Sequence, residues 1–163
     1  MALSPGKTVA DVGAGTGYFS LPLAHAVGPH GKIYAVDAQD EMLSRLRQKL
    51  DEASLSNVEL IHAEADNTGL PAGSCDLFLA ANVWHEFNNH ATVLRESARV
   101  LKAGGQIAIL DWRTDAPPEP GPPLAHRLDS SSALDALRSH GFHNITVAHV
   151  GLYSWLVQGE IKR

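Results

Sequence analysis

Two features of this 163-residue chain could do chemistry, and both depend on spacing. The first is Asp11-Val12-Gly13-Ala14-Gly15-Thr16-Gly17, a glycine cluster entered from a short β-rich run. A glycine has no Cβ, so the chain can turn tightly there and a ligand can approach main-chain atoms. The second is Asp37, 20 residues beyond Gly17, at the end of the next apolar run. A carboxylate in that place can accept charge-assisted hydrogen bonds from both hydroxyls of a ribose. Each feature alone has a plain structural reading, since a glycine-rich turn is often only a turn and an aspartate can simply cap a helix. Together, at the ends of the first two strands, they point to a nucleoside site.

Spacing narrows the nucleoside. A dinucleotide fingerprint reads G-x-G-x-x-G, and here the slot for its third glycine holds Tyr18. The sequence reads G-x-G-x-G instead, ending at Gly17. A phosphate loop needs Gly-Lys-Ser or Gly-Lys-Thr, which is absent. No cluster of Lys or Arg near these residues offers itself to a pyrophosphate.

A third group sits further on, in Asn82-Val83-Trp84-His85-Glu86-Phe87. His85 could act as a base near neutral pH, or it could be an orienting or packed histidine. Trp84 and Phe87 could form an apolar wall beside the reacting atoms, or belong to the core. Asp111, Trp112 and Arg113 end a later strand on the same side. The lone Cys75 opens an apolar run and reads as a small buried residue rather than a nucleophile. One cysteine excludes an internal disulfide and a multi-Cys zinc site, and no metal is expected.

These residues need elements to hold them. Strands are expected over Thr8–Val12, Lys32–Asp37, Val58–His62 and Cys75–Ala81, then over 106–112, 144–150 and 153–158. The last two should pair antiparallel as a hairpin through Gly151. A helix follows the glycine cluster to about Val27, with Pro22 tolerated near its start. The next helix has Asp40 as its expected N-cap and Met42, Leu43, Leu46 and Leu50 along one face. A helix over 90–101 is stopped by Lys102-Ala103-Gly104-Gly105. A short helix over 132–140 is closed by Gly141. Residues 115–123 hold five of the nine prolines and read either as the rim of a pocket or as a stiff connector. Alternating strands and helices predict an α/β fold with a mostly parallel sheet. The length suits a single domain over 1–163.

Composition sets outer bounds. Apolar residues make up 44% and charged residues 19%, so the chain has the material for a core. The formal charge is −5 and no Lys/Arg run exists, which argues against a nucleic-acid partner. No basic leader precedes an apolar stretch, and no segment reaches the roughly 18 apolar residues of a membrane helix. A cytoplasmic protein with no membrane partner is the expectation.

The chain resembles the class I, Rossmann-like S-adenosylmethionine-dependent methyltransferases over nearly its whole length. Val9-Ala10-Asp11-Val12-Gly13-Ala14-Gly15-Thr16-Gly17 is similar to the family's first motif, an acid followed by G-x-G-x-G. Ala35-Val36-Asp37-Ala38-Gln39-Asp40-Glu41-Met42-Leu43 is similar to the second. Val100-Leu101-Lys102-Ala103-Gly104-Gly105 resembles the "VLKPGG" turn, with Ala103 in place of proline. The resemblance implies a seven-stranded, mostly parallel sheet with a C-terminal antiparallel hairpin and helices on both faces. It implies S-adenosylmethionine as cofactor and a small-molecule methyl acceptor. Asp11, Gly13, Ala14, Gly15, Thr16 and Gly17 would hold its methionine end, and Asp37 its ribose, with Ala38 and Met42 nearby. Glu64 and Ala65 would meet the adenine, with Asp66 as the competing acid. Asn82 would close the site from the fourth strand, and His85 is the candidate catalytic residue.

The departures from the family pattern also carry information. Asn82 is not followed by Pro-Pro and an aromatic, which disfavours amino-methylation of nucleic acid or glutamine. A single cysteine disfavours arsenic methylation. Family members carry helices before the first strand, whereas here only residues 1–7 precede it and read as the remnant of such a segment. N-terminal helices are therefore expected to be short or absent, through truncation, a naturally short form, or a lid lent by a second subunit in a homodimer. A non-catalytic module binding S-adenosylmethionine or S-adenosylhomocysteine is the alternative to an enzyme.

Overall fold

The computed structural model describes residues 3–162. Met1 and Ala2, from the segment expected to be an N-terminal remnant, lie outside the described residues, as does Arg163. Seven strands form one sheet: β1 (Thr8–Val12), β2 (Lys32–Asp37), β3 (Val58–His62), β4 (Cys75–Ala81), β5 (Leu101–Trp112), β6 (Phe142–Val150) and β7 (Ser154–Ile161). Their spatial order is β3-β2-β1-β4-β5-β7-β6. The first five run parallel, and β7 joins β5 and β6 antiparallel. The chain leaves β1 towards β2 on one side and returns to β4 on the other. The carboxyl end of β1 is therefore the point where strand order reverses, and a crevice opens there in sheets of this kind.

Alternation along the strands decides which helix packs where. Val9, Ile33, Leu77, Leu79 and Ala108 turn to one face and pack with Ala24 and Val27 of α1 (Ser20–Val27). Leu46 and Leu50 of α2 (Asp40–Glu52) cover Ala35 on that same face. Ala10, Val12, Phe78, Ala80, Ile107 and Ile109 turn the other way. They meet Val93, Leu94 and Val100 of α3 (His90–Val100) and Ala133 and Leu137 of α4 (Ser130–Ser139). Cys75 is fully buried in that cluster, and burial pushes its thiol pKa up, consistent with a packing residue. No helix among the described residues is long and apolar enough to cross a membrane.

Four local expectations are corrected. Asp40 is the first helical residue of α2 rather than its cap; Gln39 precedes it without a side-chain cap bond, and Asp40 and Glu41 supply acids to the first turn. Leu101 to Gly105 are not a helix end but already belong to β5, because Leu101 finds Cys75 as a strand partner, with a register shift before Leu77. α4 begins earlier than expected because Asp129 accepts the Ser131 N–H. The hairpin is longer than expected at its open end, where β6 begins at Phe142 and β7 runs to Ile161, and Asn144 (φ 50) sits in a register shift of β6.

The Pro-rich segment is neither extended nor free. Prolines lack the N–H groups that could satisfy neighbouring carbonyls. The buried Arg127 supplies them, donating to the carbonyls of Arg113, Pro117, Pro118, Pro120 and Pro122. Its guanidinium also lies 5.6 Å from the centre of the Trp112 ring.

Candidate functional site

The glycine cluster forms the bend leaving β1. Gly13 and Ala14 donate to the Val36 carbonyl at 2.8 and 3.0 Å, which ties the bend to β2. Its three glycines are there for different reasons. A Cβ on Gly13 would come within 2.6 Å of Val83, and one on Gly17 would strike Leu46 and Leu21, so both are needed for packing. A Cβ on Gly15 would meet nothing within 4 Å, and its φ is +54. The bend is therefore bare at Gly15 alone, which is where a ligand can rest on main chain.

Asp37 faces that bend. Its Oδ2 accepts the Gly15 N–H at 2.8 Å and its Oδ1 accepts the Gln39 N–H at 2.9 Å. Each carboxylate oxygen keeps a second lone pair for a ligand hydroxyl. Beside Asp37 lies a cleft of 170 Å³ lined by Gly13, Asp37, Ala38, Gln39, Glu64 and Phe87 among others. Its wall also includes Ala65, Val83 and Glu86, but no Lys or Arg. A second cavity of 140 Å³ shares Glu64, Ala65, Glu86 and Phe87 with it and runs on to Asp66, Asn89 and Thr92. The trough thus extends from the glycine bend to the first turn of α3.

Electrostatics favour a cation. Asp11 lies buried just below the bend and accepts the Ser20 hydroxyl at 2.6 Å. Burial pushes its carboxyl up to about 6; the Ser20 bond lowers it and the nearby Asp37 raises it further. A positive group near this pair would relieve the strain of ionising it.

The expected site residues divide into groups. Gly13, Asp37, Ala38, Glu64 and Ala65 line the cleft, and Gly15 reaches it through Asp37. Asp66 lines only the second cavity. Ala14 packs against α2, while Thr16 is held by Lys49, whose Nζ donates to its carbonyl at 2.9 Å. Met42 sits in the first turn of α2, where its N–H donates to the Gln39 carbonyl. Asn82 directly follows β4 with φ 59, and its Oδ1 is buried without a hydrogen-bond partner. No group of His, Cys, Asp and Glu among the described residues could hold a metal ion.

His85 has a partner that spacing did not supply. Its Nδ1 is 2.9 Å from Asp111 Oδ1, and its backbone N–H donates to Asp111 Oδ2 at 2.9 Å. Asp111 is 1% exposed, so this ring is oriented by a buried acid, and Nε2 lies 3.7 Å from Glu86 Oε1. Trp84 is not a wall of the cleft: it is 1% exposed, stacks on His90 at 4.1 Å and belongs to the core. Phe87 does line the cleft, packed edge-on against Trp84. Asp111 was expected on this side of the sheet but not as the partner of His85, and Val83 and Glu86 were passed over as lining residues. Nearness to His85 in the chain was the available signal for Val83 and Glu86.

A family model described as a methyltransferase domain matches residues 10–109. The chain is 39% identical over 121 residues to a demethylmenaquinone methyltransferase of Listeria welshimeri, covering 74% of this chain and 50% of that protein. It spans about half the length of the curated relatives it matches. A SAM dependent methyltransferase from Aquifex aeolicus is similar with a TM-score of 0.92 and 32% identity, covering 98% of this chain and 84% of that one. The [4+2]-cyclase SpnF is similar in fold alone, with a TM-score of 0.82 at 16% identity over 98% of this chain and 76% of its own.

Proposed function

The chain belongs to the methyltransferase-domain family, and from that premise we propose that it transfers the methyl group of S-adenosylmethionine to a small-molecule acceptor by in-line displacement. When bound, the cofactor supplies an electrophilic methyl on a sulfonium whose leaving group is a neutral thioether. The observation that carries the reading is the bare bend at Gly15 with the Asp37 carboxylate 2.8 Å from its amide. Asp37 holds the ribose, Glu64 and Ala65 hold the adenine, and Asp11 with the 13–17 bend attracts the cationic methionine end. The unpartnered Asn82 Oδ1 offers an acceptor to its ammonium. Alignment of the two reactants is the chief work of such a site.

On the acceptor side, the Asp111 carboxylate accepts a hydrogen bond from Nδ1–H of His85, which leaves the Nε2 lone pair free to receive a proton. His85 is thus the base for an acceptor whose methylated atom must lose a proton. The named activity of the Listeria relative makes demethylmenaquinone the first acceptor to try. A cytoplasmic setting without nucleic acid goes with this reading, in keeping with a net charge of −5.

Calorimetry with S-adenosylmethionine and S-adenosylhomocysteine tests the cofactor, and methyl transfer across an acceptor panel tests the activity. Wild type should bind both ligands, and Asp37→Ala should lose about tenfold or more in affinity through the missing charge-assisted bonds. Equal binding by the variant would refute the ribose assignment. Binding with no turnover on any acceptor would instead indicate a non-catalytic cofactor-binding module.

A further inference from the structure

The loop after β3 carries Glu64 and Ala65 into the cleft, yet it has little structure of its own. A single turn closes it, in which the Asn67 N–H donates to the Glu64 carbonyl at 3.1 Å. Upstream it is fastened to the end of β2. There the Ala63 N–H donates to the Asp37 carbonyl at 3.1 Å, and His62 Nε2 lies 2.9 Å from the Ala38 carbonyl. Its downstream fastening comes from α3, on a side chain the proposed chemistry does not use.

That side chain is Glu96. It is 6% exposed, and a buried carboxylate is costly unless it is fully matched. The matching partners are in the loop. Glu96 Oε1 accepts both the backbone N–H, at 2.9 Å, and the hydroxyl of Thr68. Arg99 donates to both Glu96 oxygens, at 2.7 and 2.8 Å, and also reaches the Leu70 carbonyl at 2.7 Å. Burial alone would push the Glu96 carboxyl up, but the bonds from Arg99 and Thr68 outweigh it and hold it below its ordinary range. The carboxylate and its Arg99 partner grip the chain at residues 68–70, directly after the turn that holds Glu64.

We propose that Glu96, with Arg99 and Thr68, is a positioning clamp for nucleobase recognition: it sets where Glu64 and Ala65 stand across the cleft from Asp37. The clamp rests on the cofactor reading above. Adenine presents an amino group that donates to the Glu64 carboxylate. Hypoxanthine presents a carbonyl oxygen there, which the carboxylate repels. The clamp therefore governs discrimination between these two bases and leaves the ribose grip of Asp37 untouched.

Binding of S-adenosylhomocysteine and S-inosylhomocysteine, measured side by side by calorimetry, reads this directly. Wild type should prefer the adenine form by about tenfold or more, the effect of one well-placed bond to a charged group. Glu64→Gln should largely abolish the preference. Glu96→Ala should do the same by weakening only the adenine form, and Glu96→Gln, which keeps an oxygen for the Thr68 N–H, should recover part of it. Should Glu96→Ala fail to fold, Glu96→Gln and Thr68→Val carry the test, each with a reduced ratio expected. A lowered melting temperature with an unchanged ratio in these variants would overturn the clamp and leave the cofactor reading intact. Absence of S-adenosylhomocysteine binding in wild type would overturn both.

Discussion

Asp11 and Asp76 lie on neighbouring parallel strands, near opposite ends of the sheet, and their surroundings are opposed. Asp76, the second residue of β4, takes hydrogen bonds from Lys7, Lys102 and the Thr8 N–H at 2.7 to 2.9 Å. Burial alone would raise its carboxyl, but these partners win and pull it down to about 2. Asp11, near the end of β1, has a hydroxyl for a partner and another acid nearby, and stands at about 6. The amino end of the sheet balances its charge within the chain. The carboxyl end leaves negative charge uncompensated beside a bare bend, an arrangement that a bound cation completes. The difference singles out the carboxyl end of the sheet as the candidate site without reference to any ligand.

The largest blow to this contrast should come from Gly15→Val. A side chain there points into open space rather than into protein. The fold should survive with a cost of roughly 1–2 kcal/mol for a left-handed residue, while affinity for S-adenosylhomocysteine should fall by about a hundredfold or more. Calorimetry and thermal melting on one sample separate the two effects. Unchanged affinity in a folded variant would remove the bend from the site.

Of intermediate size is the pH dependence of stability. Asp11 titrates at about 6 in the folded protein against an ordinary 3.8, so its contribution is fully present below 3.8 and is lost as pH rises through about 6. The loss should be on the order of 2 kcal/mol. Asp76 works in the opposite sense: its contribution is present above 3.8 and lost as pH falls through about 2. Denaturant melts of wild type and Asp11→Asn between pH 4 and 7 test the first, with the variant expected to lack the slope. An identical slope in both would show that Asp11 is not the group responsible.

The smallest effect sharpens the contrast from the other end. Asp76→Asn should cost about 1 kcal/mol, since both lysines it pairs with are half exposed. Cofactor affinity should stay within experimental error. A loss of affinity comparable to that of Asp37→Ala would mean that the two ends are coupled, and the separation drawn here would be untenable.

Much of this was legible beforehand. The first four strands have the bounds that apolar runs and turn residues predict, because those signals lie within a few residues of one another. The glycine bend and Asp37 were legible for the same reason. Elements whose limits depend on a distant partner were misjudged. Lys102-Ala103-Gly104-Gly105 carries every local mark of a helix stop, yet pairing of Leu101 with Cys75 draws the segment into β5. Trp84 beside His85 suggests a wall, and only the presence of α3 and α4 turns it into core.

The order of residues alone thus determined the class of fold, the bare turn after the opening strand and the acid that answers it, since each is written in short-range spacing and in which residues lack a Cβ. Tertiary structure decided what the remaining charges do. Asp111 beneath His85, Glu96 on Thr68, two lysines on Asp76 and Arg127 across the proline carbonyls join residues remote in the chain. A carboxylate or guanidinium has no local signature of its partner. Burial makes an unmatched charge too costly to keep, and the folded packing then dictates which group must match it.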